Sequence, residues 1–368
     1  MAKTEKATGG YDFFILIPAV MLLGIGLVAI YSSSSILADY KLHDSYFYLK
    51  RQTLFALVGV FFLIIAKNIP VELYRKLAYP ALVISFILLA LLFIPGIGKE
   101  VNGATRWIDI GTFGLQPSEL VKLSLAVYMA YSMSKKGTNM SSFSKGLLPH
   151  LLVVGAFMYM ILIQPDLGTT VIIGSWLMIL LFVAGLNLLH LLGMAIIACP
   201  MILWLITHAE YRWNRLLAFM RPWDYAHDLG FQIIHSFYAF GSGGVLGVGL
   251  GNSKQKLGYL PEPHTDFILS IMAEELGLIG VIVILILFSI LIIRGIKISL
   301  DASDLYSSYL ALGITILLGL QIVINMGVVM GLLPTKGLTL PFLSYGGSSL
   351  MVNLAAIGIL MSISARSR

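Results

Sequence analysis

The chain has 368 residues, of which 58% are hydrophobic and only 11% charged. A soluble protein of this length needs far more charge to cover its surface, and apolar runs recur here at about 20 residues, the length of a bilayer span. The net charge of +6 is modest, is best read by position, and gives no reason to expect nucleic acid.

Taken in chain order, the apolar runs predict ten membrane helices. They cover Phe13–Ser33, Gln52–Ala66, Leu77–Phe93, Pro117–Met133, Leu147–Ile163, Gly168–Ala184, Leu188–Thr207, Phe267–Ile293, Tyr306–Met330 and Phe342–Ile363. The first run is too long for a signal-peptide core without a cleavage site, and it reads as a retained span. Proline and glycine in "QPDLGT" (164–169) predict a tight reversal between two helices rather than one bent span. The single cysteine, Cys199, lies in an apolar run and cannot form an internal disulfide.

Lysine and arginine in short loops set orientation. Twelve fall on one side: Lys3, Lys6, Lys67, Arg75, Lys76, Lys135, Lys136, Lys145, Arg294, Lys297, Arg366 and Arg368. Six fall on the other: Lys41, Lys50, Arg51, Lys99, Arg106 and Lys336. Both termini are therefore expected in the cytoplasm. The expected architecture is an all-α polytopic membrane protein, one domain over 1–368. Its long extracytoplasmic loop, 208–265, joins helices 7 and 8.

Three outer segments hold the polar chemistry. In Pro95–Gln116, Arg106 and Trp107 precede a glycine-rich turn. "QPSE" then has a helix-start pattern with proline in the first turn. Glu119 and Lys122 are one helical turn apart and suit a local ion pair.

The long loop opens with Arg212, Arg215 and Arg221 among aromatic residues, which predicts amphipathic helices at the interface. "GSGGVLGVGLG" (241–251) follows, with Lys254 and Lys256 after it. Such glycines allow close helix packing or expose N–H groups to an anion. After Pro261 and Pro263 the chain reaches His264, Thr265 and Asp266. Thr265 or Asp266 suits a helix N-cap. A partly desolvated Asp266 beside Glu262 and His264 also suits a general base. Glu274 and Glu275 fall about 12 Å farther along the helix and point to a buried polar network, with Lys122, Arg106 or Gln321–Asn325 as partners. In the third segment, Lys336 stands on a stiff loop between Pro334 and Pro341 and suits a phosphate.

These segments resemble one family. "ATRWIDIGTFGLQPSELVKL", "QPDLGTT", "RPWDYAHDLGFQIIHS", "GLGNSKQKLGYLPEPHTDFILSIMAEELG" and "LPTKGLTLPFLSYGGSS" are similar to the motifs of the SEDS proteins (shape, elongation, division and sporulation), the group containing FtsW, RodA and SpoVE. The resemblance covers nearly the whole chain and leans towards the division members. His227-Asp228 departs from the pattern, because a proline often follows the aspartate there, and leaves open whether Asp224 or Asp228 matters.

The resemblance implies a peptidoglycan glycosyltransferase that polymerises lipid II outside the cytoplasmic membrane and releases undecaprenyl pyrophosphate. It implies that Asp266, the aspartate of "HTDF", is essential. It also implies a class B penicillin-binding protein, a transpeptidase, as partner, alongside other division proteins. On this reading Asp266 is the base. Lys336 and Arg106 stabilise the leaving group, with Trp107, Arg212, Arg215, Lys254, Lys256 and His264 around the substrate. Mg²⁺ or another divalent cation would share that work, and no organic cofactor is expected. The alternatives are an elongation or sporulation polymerase, a lipid II flippase, and a non-catalytic scaffold.

Overall fold

The computed structural model describes residues 10–101, 103–111 and 113–366. Lys3, Lys6 and Arg368, counted above for orientation, lie outside them. Each predicted helix has a counterpart. Helices α1 (Phe13–Leu42) and α2 (Phe47–Asn68) are followed by a short α3 (Val71–Lys76) and by α4 (Ala78–Leu91). Next come α5 (Pro117–Lys136), α6 (Leu148–Ile163), α7 (Leu167–Val183) and α8 (Leu188–Thr207). The long loop carries α9 (Glu210–Met220) and α10 (Phe231–Gly243), and the chain closes with α11 (Ile268–Leu300), α12 (Leu305–Val329) and α13 (Gly347–Ser364). Among the described residues, seven helices are long and apolar enough to cross a membrane: α1, α2, the segment Phe143–Ile163 that contains α6, α8, α11, α12 and α13. The apolar helices α4 and α7 are shorter.

One boundary moves for a physical reason, and one reversal is as expected. Helix α1 continues past Ser33 because Ser33 and Ser34 donate their hydroxyls to the Ile30 carbonyl. These serines satisfy themselves on the helix and do not end it. At "QPDLGT" there are two helices, and the Asp166 side chain caps α7 by accepting from the Thr169 N–H at 3.0 Å.

The all-α expectation needs correction. Segment Pro95–Gln116 holds a three-stranded antiparallel sheet: β1 (Gly98–Val101), β2 (Ala104–Ile110) and β3 (Phe113–Leu115). Lys99 faces Trp107 and Ile108 faces Leu115. Gly103 and Gly111, both at positive φ, let the chain reverse between strands.

Close helix packing comes from small residues. A Cβ on Gly358 of α13 would run into the Leu63 carbonyl of α2, and one on Gly59 would lie 2.6 Å from Leu354 Cδ1. Trp176 Nε1 donates to the Gly313 carbonyl at 2.8 Å and ties α7 to α12.

Helix α11 is interrupted at Gly277, with φ 66° and ψ −166°, a conformation that glycine tolerates and L side chains resist. The break frees the Glu274 and Glu275 carbonyls, which accept from the N–H groups of Val248 and Gly249 at 3.0 Å each. Leu278 and Ile279 N–H donate back to the carbonyls of Gly244 at 3.0 Å and Val245 at 3.2 Å. The glycine-rich loop is thus spliced backbone to backbone into the broken helix, and these glycines serve close packing.

Candidate active site

Asp266 lies two residues before α11 begins. It does not cap that helix. The first helical residue is Ile268, and the N-cap is Phe267, without a side-chain bond. Thr265 turns away as well, donating its hydroxyl to the Glu262 carbonyl at 2.8 Å. Among the described residues, no hydrogen bond or ion pair engages the Asp266 carboxylate. What holds the segment is backbone. Asn325 Nδ2 donates to the carbonyl of Asp266 at 3.0 Å and to that of Leu338 at 2.6 Å. One amide on α12 therefore fixes both the Asp266 turn and the Lys336 loop. The Tyr345 N–H donates to the His264 carbonyl at 2.8 Å.

Asp266 faces a cleft of about 760 Å³, a volume that suits a small organic ligand. Arg106, Trp107, Arg212, Arg215 and Lys336 line the same cleft, so five of the expected substrate contacts converge on it. Its apolar wall includes Ile202 and Ile206 of α8, Leu216 and Phe267. Helix α8 is exposed along most of its length.

Burial pushes the Asp266 carboxyl up to about 7, and the Glu262 charge adds to the rise while Arg215 and Arg106 oppose it. The side chain is only partly shielded from solvent. The surface it keeps is cleft surface, where water is confined, so desolvation dominates. Burial lowers Lys336 from its ordinary value, and the nearby Asp166 resists that change.

Arg106 has a second task. Its Nε donates to the Gln164 carbonyl at 3.2 Å, its Nη2 donates to the Pro165 carbonyl, and Asp166 Oδ2 lies 4.0 Å away. Asp166 also accepts from the Thr169 hydroxyl at 2.9 Å. Sequence reasoning read 164–169 as a reversal and a family motif, and missed that its aspartate lies 4.0 Å from Arg106 and acts on the charge of Lys336. Arg51, Gln232 and Tyr345 are further cleft residues that the sequence did not single out.

Three expected contacts lie elsewhere. His264 packs 4.2 Å from the Tyr48 ring and 5.5 Å from Tyr345, and burial, helped by Lys41, lowers it to about 4. It is a neutral packing residue behind Asp266. Lys256 is buried and bonded to Glu275 at 2.8 Å and to the Ser32 hydroxyl at 3.2 Å. The Lys254 side chain is exposed away from the cleft, while its N–H donates to Glu274 at 3.0 Å. Asp224 and Asp228 are exposed and line no part of the cleft.

The deep acids form two separate networks rather than one. Glu119 and Lys122 pair at 2.8 Å, both buried. Glu274 accepts from Ser253, from the N–H groups of Lys254 and Gln255, and from Ser242. Its partners come from the end of α10 and from the segment after the glycine-rich loop, and those of Glu275 come from the same segment and from Ser32 of α1. The expected links to Lys122, Arg106 and Gln321–Asn325 are not formed.

The model of the FtsW/RodA/SpoVE family, described as cell cycle proteins, matches residues 13–368. The chain belongs to that family. A probable peptidoglycan glycosyltransferase FtsW of Geobacter metallireducens is 48% identical over 356 residues, covering 97% of this chain and 95% of that protein. Stage V sporulation protein E of Bacillus subtilis is 46% identical over 366 residues, covering 99% and 100%. Among solved structures, a chain from a peptidoglycan synthase complex that coordinates polymerization and crosslinking superposes with a TM-score of 0.81. It is 30% identical, with 96% of this chain and 97% of that chain covered. The rod shape-determining protein RodA of Thermus thermophilus superposes at 0.71, with 28% identity and 96% of each chain covered. This family member is thus a multi-pass membrane protein with a RodA-like fold.

Proposed function

We propose that this chain is a peptidoglycan glycosyltransferase that polymerises lipid II into glycan strands at the outer face of the cytoplasmic membrane, in septal wall synthesis. The observation that carries this reading is Asp266. It is an unpartnered carboxylate pushed up to about 7, in a cleft that also gathers Lys336, Arg106, Arg212 and Arg215. A sugar hydroxyl is a weak nucleophile until a base takes its proton, and a base near pH 7 is well matched to that step.

In the reaction, the acceptor 4-hydroxyl gives its proton to Asp266 as its oxygen attacks the donor anomeric carbon. The bond to the lipid pyrophosphate breaks, and its electron pair leaves with the phosphate oxygen. Fixed cations stabilise that growing charge. Lys336 suits this role, because among the described residues no acid pairs with it within 4 Å, and the same holds for Arg212 and Arg215 in the same cleft. Arg215 and Arg106 line the same cleft, and their charges act on Asp266. The exposed α8 flank offers the lipid tails a route from the bilayer.

Among the described residues, no three His, Cys, Asp or Glu side chains converge as a metal cage. Mg²⁺ needs only one or two carboxylates beside substrate phosphates. Glu262 on the cleft rim is the acid left for it, since Asp166 is engaged by Thr169 and Arg106. Such a cation would share in neutralising the diphosphate, and the steps above use the chain's own residues.

Ten spans follow if α4, α5 and α7 cross with the seven long helices. The Glu119–Lys122 pair cancels the charge that α5 would carry into the bilayer. Both termini are then cytoplasmic and the cleft faces outward, consistent with the lysine and arginine bias. The complex found for a structural relative supports a class B penicillin-binding protein as partner. A second reading, a sporulation polymerase, is favoured by the 46% identity to stage V sporulation protein E. Rescue of a division-depleted strain, against rescue of a sporulation mutant, separates the two. The direct test is polymerisation of lipid II by the purified protein, alone and with its transpeptidase. Absence of product in both conditions overturns the enzyme reading.

A further inference from the structure

Beside the cleft, four rings form a continuous row. Trp223 and Tyr238 lie 6.0 Å apart, Tyr238 and His235 5.6 Å, and His235 and Tyr259 5.5 Å with planes 22° apart. His235 is oriented by Gln255, whose side-chain oxygen lies 2.7 Å from Nδ1. Rings of this size usually hide in a core. Here Trp223 is 59% exposed, Tyr259 52% and Tyr238 48%. None of the four lines the cleft, yet the row begins at its edge. Gln232, one turn before His235 on α10, is a cleft residue, as are Pro261 and Glu262 just after Tyr259. From Gln232 to Tyr238 the row travels about 9 Å along the helix.

We infer that Tyr259, His235, Tyr238 and Trp223 form a glycan-strand site that holds sugars of the growing polymer outside the cleft. This rests on the polymerase reading above. Exposed ring faces suit the C–H faces of pyranose sugars, and polar groups at ring edges suit their hydroxyls. Both are present: Asp224 follows Trp223 with its side chain 63% exposed, and the Gln255 amide lies beside His235. A belt of rings resting on lipid headgroups is the competing occupant. Continuity with the cleft and the acid and amide edges favour the sugar. A polymerase that keeps its strand between additions needs such a hold, because each bond made breaks the link to one lipid pyrophosphate.

The test separates first-bond formation from strand length. Trp223→Ala and Tyr259→Ala, alone and combined, are expected to form the first linkage between two lipid II molecules within about twofold of wild type. Mean strand length should fall about threefold or more, the effect of losing one or two ring contacts. Trp223→Phe and Tyr259→Phe keep a ring and should restore length. In detergent, soluble lipid-free glycan strands should bind the wild type more tightly than the alanine variants. Unchanged strand length, or strand binding equal to wild type, overturns the site. So does an equal loss of first-bond rate and length. A defect present in vesicles and absent in detergent assigns the rings to the bilayer instead. A wild-type protein that binds strands through these rings but makes no polymer would remove the polymerase reading and leave the site standing.

Discussion

Lys256 Nζ lies 2.8 Å from Glu275 Oε1, and each side chain is only 3% exposed. The pair links the glycine-rich loop to the broken helix α11, and Ser32 of α1 donates to the same carboxylate. Removing one member of a buried pair strands the other charge and typically costs about 3–5 kcal/mol. Glu275→Gln and Lys256→Met should each lower the thermal midpoint markedly in detergent. Combining Lys256→Met with Glu275→Leu should recover much of that loss, because no charge is left unpaired. A single variant as stable as wild type would show that the pair does not hold the loop.

How much of this was legible in the sequence follows from the range of each signal. Hydrophobic length marked every long helix, since a span is written in consecutive residues. The sheet at 98–115 was hidden because β1 and β3 have only four and three residues and the glycines between strands read as a loop. The end of α1 was set too early because serine looks like a terminator, and only the structure shows Ser34 bonded back to Ile30. Asp266 was legible by position, but its freedom from capping was not. That depends on where the first turn of α11 closes, one residue beyond Phe267. The partner of Glu275 was out of reach. Lys256 returns to it through a backbone splice that no local pattern encodes, and the same splice removed Lys254 and Lys256 from the cleft.

Lys336 and Arg106 should respond differently to truncation. Lys336 has no acid partner among the described residues, so Lys336→Ala should leave folding intact. Turnover of lipid II should fall by about 10² or more, as expected for loss of one fixed charge at the leaving group. Lys336→Arg should recover part of it. Arg106→Ala also removes the bonds to the Gln164 and Pro165 carbonyls, so it should lower both turnover and thermal midpoint. Polymerisation at the wild-type rate by Lys336→Ala, at limiting substrate, would take this lysine out of the site.

Sidedness is open to labelling. Cys199 is exposed on α8 and must first be replaced by serine. A cysteine at the exposed Lys254 should then react with an impermeant maleimide added from outside. A cysteine at Lys136, at the end of α5, should react only after permeabilisation. The reverse pattern would turn the cleft to the cytoplasm and overturn the reading of an outward-facing polymerase.

Asp266 offers the sharpest separation of chemistry from structure. Its carboxylate caps no helix and bonds to no described group, so Asp266→Asn has no native contact to break. Folding and lipid II binding should survive, while polymerisation should fall by about 10²–10⁴, because an amide cannot accept the acceptor's proton. Asp266→Glu should fail largely too, since an extra methylene moves the oxygen out of line. The pH dependence has a fixed sign. The base acts ionised, so the rate should rise with pH and level off above about 7, where burial has placed this carboxyl. A fall at high pH should begin earlier than for an ordinary lysine, because burial lowers Lys336. Stability runs the other way. Between the ordinary value of 3.8 and about 7 the folded protein keeps a proton on Asp266 that the unfolded chain has lost. The fold therefore loses stability as pH rises through that window. Asp266→Asn removes this penalty and should be at least as stable as wild type at pH 8. An Asp266→Asn protein that is inactive but also unstable at pH 8 would make the aspartate structural, and one that polymerises lipid II normally would end its role as base.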